Sequence, residues 1–327
     1  MLMTKAIRIH AQGGPEVMAY EDVTVPPPGP GEVRIRHHAI GVNYLDVYYR
    51  KGLYPAPSLP FTPGNEGAGQ VVALGEGVRV LKKGDRVAYV STLGSYAEER
   101  NVPAAALVPI PEGISYATAA AMMLKGLTAH YLLRRTYRVK PGDIILNHAA
   151  AGGVGLILGQ WANALGATVI GTVGSDEKAK LAKRKGGCHH VINYRTENFA
   201  DRVAAITKGG KCHVVYDGVG KDTFPQSLDC LRPLGMFVSY GSASGPIDVF
   251  NINLLSQKGS LFATRPTLFT YIAKRNDLLR AAREMFKMMD EGYVKIPVHA
   301  KAKLADVVEV HRALEGRTTT GATILVP

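Results

Sequence analysis

The chain has little cysteine: Cys188, Cys212 and Cys230 are the only three in 327 residues. None forms a C-x-x-C pair, which excludes a disulfide framework and a zinc knuckle and points to a reducing compartment. No apolar run approaches the roughly 20 residues a membrane helix needs, so neither a span nor a membrane partner is expected. The start of the chain has no leader pattern; Met1-Leu-Met-Thr-Lys-Ala-Ile-Arg8 reads as a first strand. A cytoplasmic protein is expected. Acidic residues are the scarcer charge, 27 against 39 basic ones, a net charge of +12. Such a surplus can attract anionic ligands or nucleic acid. The basic residues are spread, however, densest across 134–140 and 178–185, and no interleaved aromatic and basic motif accompanies them. A solvated basic surface is the favoured reading, with nucleic acid a secondary one. There is no Gly-x-Ser-x-Gly elbow, so nothing supports a hydrolase.

What the chain does have is Ala149-Ala-Ala-Gly-Gly-Val-Gly155. Before it, Ile144-Ile-Leu-Asn-His148 reads as a buried strand. After it, Val154, Ile157, Leu158, Trp161 and Leu165 recur at helical spacing. Gly166 can end that helix, and Thr168–Thr172 starts another strand. Strand, glycine turn, helix and strand form the first βαβ unit of a dinucleotide-binding fold. Gly152 lets the backbone approach a pyrophosphate, Gly155 lets the helix pack close, and the helix N-terminus offers free N–H groups. The first glycine of the G-x-G-x-x-G fingerprint is here Ala150.

About 20 residues past the last glycine, an NAD site places an acid against the ribose 2′-hydroxyl. Here the second strand ends in Thr172-Val173, followed by Gly174-Ser-Asp-Glu-Lys178. Ser175 can hydrogen-bond a 2′-phosphate and Lys178 can neutralise it. Asp176 and Glu177 suit the first turn of a helix by complementing its dipole. NADP(H) is therefore expected over NAD.

Residues 1–125 read mostly as strands and glycine turns, including Lys5–His10, Val33–Ile40, Gly69–Leu74 and Arg86–Tyr89, with an irregular proline stretch at Val25–Gly31. Many short strands suggest a compact barrel or sandwich. Asn43–Tyr49, Ser115–Leu124 and Thr128–Leu133 read as helical. From about residue 126 strands and helices alternate, with strands at Val191–Tyr194, Val214–Asp217 and Met236–Tyr240, which gives a parallel doubly wound sheet. Ser260–Thr264 reads as its edge strand. The segment 266–327, with a long helix at Asp277–Glu291 and a last strand at Ala322–Val326, is expected to rejoin the first domain and leave the cofactor in a cleft.

Taken together, Gly41-Val-Asn-Tyr-Leu-Asp46, Gly52-Leu-Tyr-Pro55, Pro63-Gly-Asn-Glu-Gly-Ala-Gly69, Leu124-Lys-Gly-Leu-Thr128, the glycine turn, Gly174-Ser-Asp-Glu-Lys178, Gly259-Ser-Leu-Phe-Ala-Thr-Arg-Pro266 and Arg317 carry a resemblance. The chain resembles the medium-chain dehydrogenase/reductases, and more narrowly their zinc-free, zeta-crystallin-like quinone oxidoreductases. The resemblance covers nearly the whole chain. It implies an α/β fold: a doubly wound parallel Rossmann sheet at 126–265, plus a β-rich GroES-like barrel domain made of 1–125 and 266–327. It implies that Ser175, Lys178, Tyr194 and Arg317 hold the 2′-phosphate, with Gly174 beside them. Gly152, Gly153 and Val154 match the pyrophosphate turn. Asn43, Asp46, Tyr48, Tyr54, Lys125 and Thr128 match residues around the nicotinamide and substrate, and Asn43, Asp46, Tyr48 and Tyr54 are the candidate catalytic set. Gly218 lies at a strand end facing the crevice. Tyr240, Gly241, Ser242, Phe262 and Thr264 match the wall behind the nicotinamide, with Ser242 where relatives often carry Asn. A homodimer formed through the edge near Ser260–Thr264 is also implied.

Zinc-dependent relatives use a cysteine near the Asn43 position and a Gly-His-Glu triplet, here Gly64-Asn65-Glu66. Zinc prefers thiolate and imidazole ligands, so no metal is expected. The expected activity is reduction of a quinone or similarly activated carbonyl by NADPH. The alternatives are a zinc-free enoyl or alkenal reductase acting on α,β-unsaturated carbonyls, and a secondary RNA-binding role.

Overall fold

The computed structural model describes residues 2–90 and 93–327. The chain folds into two compact units: residues up to Leu124 together with Ile296–Pro327, and Lys125–Lys295.

The chain begins with β1 (Leu2–Ile9), β2 (Met18–Val25), β3 (Glu32–Gly41), α1 (Tyr44–Lys51), β4 (Glu66–Leu74), β5 (Arg86–Val90), β6 (Glu99–Pro103) and β7 (Leu107–Pro109). After α2 (Tyr116–Tyr131) it alternates: β8 (Ile144–Asn147), α3 (Gly153–Ala164), β9 (Thr168–Val173), α4 (Asp176–Lys185), β10 (His190–Asn193), α5 (Phe199–Ile206), β11 (Cys212–Asp217), β12 (Leu231–Ser239), α6 (Asn253–Gln257), β13 (Phe262–Thr264), α7 (Leu268–Tyr271) and α8 (Arg275–Asp290). The tail adds β14 (Val298–Lys303), α9 (Val307–Glu315) and β15 (Ala322–Val326).

In the first unit, β14-β15-β3-β4-β5-β7 form one sheet, with β6 on β3, and β1-β2 form a separate antiparallel pair. Isolated bridges Ala6–Ala97 and Ile9–Phe61 tie that pair to the rest. Ile7, Ile9, Ile40, Phe61, Tyr96, Leu304 and Leu325 share one core, so the tail is built into the first unit. Strands β2, β6 and β7 escape the sequence reading. β2 alternates polar and apolar residues with its charges outward, and β7 has only three residues, one of them proline.

In the second unit, all six strands are parallel in the order β10-β9-β8-β11-β12-β13. Successive crossovers leave β8 in opposite directions, which opens a crevice at the carboxyl ends of β8, β9 and β11. The strands are nearly continuous apolar runs, as sheets covered on both faces require: Leu146, Ile170, Ile192, Val215 and Phe237 all lie in one core.

Two expectations are corrected. The stretches expected as separate helices, Ser115–Leu124 and Thr128–Leu133, are joined in one helix, α2, which runs through Gly126 and passes at Leu132 into a π-helical turn. A Cβ on Gly126 would lie 3.0 Å from the Met285 sulfur of α8, so the glycine makes room for a packed neighbour and is not a break. Residues 266–295, expected with the first domain, belong to the second unit. Helix α8 buries Leu278, Ala281, Ala282 and Met285. His130 bonds Glu284 at 3.1 Å, and the Tyr131 and Tyr271 rings stack at 4.5 Å. Only the tail from Ile296 returns to the first unit.

Candidate functional site

The turn after β8 leads through Ala149, with φ 54°, to Gly152, the N-cap of α3. A Cβ on Gly155 would collide with the Ala149 carbonyl and come within 2.9 Å of the Ala150 Cα. Only glycine lets α3 start this close to the turn. A Cβ on Gly152 would meet only the Ala149 oxygen, at 3.1 Å, so its open side faces outward. The alanine in place of the first fingerprint glycine also has a physical account. Ala150 is fully buried, and a Cβ on Gly171 of β9 would lie 2.7 Å from its methyl. The small residue the packing needs has moved to the neighbouring strand. The free N–H groups of the first turn of α3 point out of this turn, a ready cradle for phosphate oxygens.

At the end of β9, Ser175 caps α4 by accepting from the Lys178 N–H at 3.3 Å. The Tyr194 hydroxyl lies against Gly174, where a Cβ would sit 2.5 Å from it. The structure thus brings Gly174, Ser175 and Tyr194 together, with Lys178 on the first turn of α4. Asp176 is engaged by the Asn193 amide at 2.9 Å. Arg317 lies in the first unit, just past α9, with left-handed φ of 56°.

At the ends of β11 and β12, Gly218 lies under the Tyr240 ring, 2.9 Å from where its Cβ would be, and Gly241 packs on the Gly218 backbone. The Ala243 N–H donates to the Gly218 carbonyl at 3.2 Å and the Ser244 N–H to Val219 at 2.8 Å, so the two turns interlock. Ser242 is half-buried in the second turn. Thr264 pairs with Val238, and Phe262 stands on the edge strand at 56% exposure. Lys125 and Thr128 are buried one turn apart on α2.

Beneath these strand ends runs a buried polar chain that the sequence reading missed. His148 Nδ1 lies 2.8 Å from the Thr172 hydroxyl, and its Nε2 3.0 Å from the Ser227 hydroxyl. Ser227 approaches Asp217 at 3.4 Å. Asp217 accepts from the Thr223 hydroxyl at 2.6 Å and from the Val219 and Gly220 N–H groups at 2.7 and 3.1 Å. The signal was present as polar residues closing apolar strands, His148, Thr172 and Asp217. Ser227, nearly 80 residues from its partner, carried none.

In the first unit, the Asn43 amide donates to Glu66 Oε1 at 2.8 Å, and Glu66 Oε2 accepts the Leu124 N–H at 2.6 Å. Asn43, Asn65 and Glu66 are all buried. Asp46 is fully buried. Its Oδ2 accepts the Asn43 N–H and the Tyr96 hydroxyl, each at 2.8 Å, closing a capping box at the start of α1. Of the candidate catalytic set, Asp46 thus lies beneath Asn43, its carboxylate engaged by Asn43 and Tyr96. Tyr96 also meets His311 Nε2 at 3.1 Å. Burial pulls His311 from 6.5 to about 3, and Arg50 adds to the shift. Burial and then the Asp46 carboxylate raise Tyr96 well above its ordinary value. Tyr48 and Tyr54 do come together, with ring centroids 5.3 Å apart, and Tyr44 and Tyr49 extend the aromatic cluster. Tyr48 is buried and Tyr54 half-buried.

Comparisons with known proteins give the family. Residues 29–112 match the alcohol dehydrogenase GroES-like domain and residues 153–286 the zinc-binding dehydrogenase domain. The chain is 52% identical to a quinone oxidoreductase of Pseudomonas aeruginosa, over 99% of this chain and 100% of that one. It is 45% identical to a 2-haloacrylate reductase from a Burkholderia species, covering 99% of each. The crystal structure of Escherichia coli quinone oxidoreductase complexed with NADPH superposes with a TM-score of 0.96 at 46% identity, covering 99% of this chain and 100% of that one. With a GroES-like unit, a Rossmann-like unit and relatives matched end to end, the chain belongs to the quinone oxidoreductase family of the medium-chain dehydrogenase/reductases.

Proposed function

We propose that the protein is an NADPH:quinone oxidoreductase that works without zinc. The observation that carries the cofactor choice is the end of β9. It offers a hydroxyl from Ser175, the Tyr194 hydroxyl over Gly174 and the Lys178 ammonium, where an NAD site needs a carboxylate. The residues fit the cofactor: Gly152 leaves open the space a pyrophosphate takes, and Gly174 and Gly218 are the places where the backbone must lie under a tyrosine ring. The donor set does not fit zinc. Asn43 and Asn65 offer amides, and the Asn43 amide is already given to Glu66.

Bound NADPH supplies the hydride. The chain's residues bind and orient. Gly152, Gly153 and Val154 cradle the pyrophosphate, and Ser175, Lys178, Tyr194 and Arg317 hold the 2′-phosphate. Asn43, Lys125 and Thr128, with Gly218, Tyr240, Gly241, Ser242, Phe262 and Thr264, position the nicotinamide end. Tyr48 and Tyr54 flank a flat acceptor, and water or a tyrosine hydroxyl gives the proton. Asp46 acts through Asn43 as a positioning residue. The contribution is orientation and exclusion of water from a reaction whose chemistry the cofactor brings.

The reading is tested with purified protein, NADPH and a panel of quinones, before and after chelation. Turnover of a simple quinone that survives chelation, in protein with no stoichiometric zinc, is expected. Loss of activity with removal of one tightly held zinc per chain would overturn the metal assignment. A second reading, reduction of activated alkenes, is favoured by the 45% identity to a 2-haloacrylate reductase. Faster turnover of a haloacrylate or an enal than of any quinone would establish it. We also propose a cytoplasmic homodimer. Strand β13 ends the parallel sheet, and edges invite pairing. A concentration-independent monomer in light scattering would sink the dimer.

A further inference from the structure

We propose that the buried chain Thr172–His148–Ser227–Asp217 sets the spacing of the three strand ends that bind the dinucleotide, with His148 as its central positioning residue. The inference rests on the cofactor reading above and names what holds that site in shape.

Direction can be assigned along the chain. The Ser227 hydroxyl faces two groups that only accept, the Thr223 carbonyl at 3.0 Å and Asp217 Oδ2 at 3.4 Å, so its proton goes to one of them. Its lone pair then takes the His148 Nε2–H. The Thr172 hydroxyl can donate or accept; burial disfavours the imidazolium, so the ring is neutral with its proton on Nε2, and Nδ1 accepts the Thr172 hydroxyl. Burial lowers its pKa, with the Asp217 charge opposing. Thr172 donates to His148 and His148 to Ser227, and the last proton ends on the Thr223 carbonyl or on Asp217 Oδ2. Thr172, His148, Ser227 and Asp217 are each at most 1% exposed, so no water substitutes for a lost partner.

Each member stands at a different lip of the crevice. His148 immediately precedes Ala149, which opens the pyrophosphate turn in a left-handed conformation. Thr172 stands two residues before Gly174 and the proposed phosphate pocket. Asp217 fixes the turn holding Gly218 through the Val219 and Gly220 N–H groups. Backbone bonds join neighbouring strand ends in pairs: Ala150 N–H to Thr172 O at 3.0 Å, and His148 N–H to Tyr216 O at 3.0 Å. The side-chain relay links all three ends, and through Ser227 also the segment leading into β12.

The pyrophosphate and nicotinamide contacts are common to NADPH and NADH. Disturbing the spacing should therefore weaken both cofactors alike, unlike loss of a 2′-phosphate contact. The test measures Kd for NADPH and for NADH by cofactor fluorescence in wild type, Thr172→Val, Thr172→Ser and Ser227→Ala, with melting temperature for each. The expected result is a roughly ten-fold rise in Kd for both cofactors in Thr172→Val and Ser227→Ala, and near-wild-type binding in Thr172→Ser, which keeps the hydroxyl. In ¹⁵N-histidine NMR, a resonance absent from His148→Gln should report protonation at Nε2 only. Folded variants that melt lower yet bind both cofactors as tightly as wild type would show that the chain only stabilises the unit, and would overturn the proposal. Protonation at Nδ1 would overturn its direction. Wild type that binds neither dinucleotide would remove the cofactor reading and this inference with it, an outcome distinct from unchanged variants.

Discussion

The lining of the crevice at the ends of β8, β9 and β11 and the side-chain cluster at the start of α1 are built by opposite means. The first is backbone: glycines at 152, 155, 174 and 218 open it, and most of what a ligand would meet there is main-chain N–H and a few capping side chains. The second is side chain on side chain: Asn43 on Glu66, Asp46 on Tyr96, Tyr96 on His311, with sequence separations from 23 to 215 residues. A backbone site needs particular residue types at particular spacings because only glycine avoids the clash. A side-chain site needs only that the partners meet, and many sequences can arrange that. The two regions should therefore fail in different ways.

The largest expected effect concerns the side-chain-built unit and acid. Burial holds both His37 and His311 at about 3, against an ordinary 6.5. His37 is held between the Ala97 carbonyl at 2.6 Å and the Tyr89 hydroxyl at 2.8 Å, and His311 against Tyr96. A folded-state pKa below the unfolded one means that the unfolded chain binds more protons. Stability is then full above about 6.5 and falls as the pH drops toward 3. Two such groups together cost about 5 kcal/mol between pH 6 and pH 4, at about 1.4 kcal/mol per unit each once the unfolded histidines are charged. Urea unfolding followed across this range should show the midpoint collapsing. A flat profile from pH 7 to 4 would mean that these imidazoles are not held neutral.

Next in size is a contrast inside the glycine turn. Gly155→Ala forces a methyl into the Ala149 carbonyl and the Ala150 backbone, which cannot move aside as a flexible side chain would. A loss of roughly 3 kcal/mol is expected, at the upper end for overpacking. Gly152→Ala meets one oxygen at 3.1 Å and should cost under about 1 kcal/mol, yet it places its methyl where a pyrophosphate would lie. The first variant should lose melting temperature and the second cofactor affinity. Equal destabilisation by both would erase the distinction between a packing glycine and a binding one.

This difference explains what could be read before the structure. Glycine turns, apolar strands and the helix α8 follow from local rules, so the order of elements in the parallel sheet was legible. Ser175 and Gly174 were visible because they sit at a strand end beside a helix start. Asp46 was visible as a polar residue in a motif, but its surroundings were not: Tyr96 lies 50 residues away, and nothing local announces complete burial. Residues 266–295 were misassigned because the amphipathic face of α8 does not say which apolar surface it covers. Met285 against Gly126 and Glu284 against His130 decide that, and neither pairing is local.

The next prediction asks whether a single charge governs cofactor choice in the backbone-built crevice. Lys178→Ala should lower kcat/KM for NADPH by roughly ten- to a hundred-fold, since a charge-assisted bond contributes about 1.5–3 kcal/mol. NADH should be nearly unaffected. Arg317→Ala should behave alike, although it lies 139 residues further on. The loss should appear mainly in KM, because the phosphate is remote from the reacting carbon, and added salt should shrink the preference by screening. Equal losses with both cofactors would mean that these residues serve the fold or the acceptor, and the phosphate assignment would be withdrawn.

The smallest effect comes from Ser175, which stands in both kinds of architecture at once. Its hydroxyl oxygen caps α4 by accepting the Lys178 N–H, while its proton, which here turns toward the Glu177 carboxylate, can be given instead to a phosphate oxygen. Two substitutions separate the roles. Replacing an N-cap serine by alanine costs about 1 kcal/mol of stability, whereas glycine costs only a few tenths. Both remove the hydroxyl, so both should reduce the NADPH-over-NADH ratio, by roughly ten-fold if one bond to a charged acceptor is lost. Ser175→Gly should therefore shift cofactor preference with melting nearly unchanged, and Ser175→Ala should shift both. Measuring melting temperature and the Kd ratio for the two variants side by side decides the matter. A glycine variant that keeps the wild-type preference, beside an alanine variant that merely melts lower, would make Ser175 a cap and nothing more, and would leave Lys178, Tyr194 and Arg317 to hold the phosphate without it.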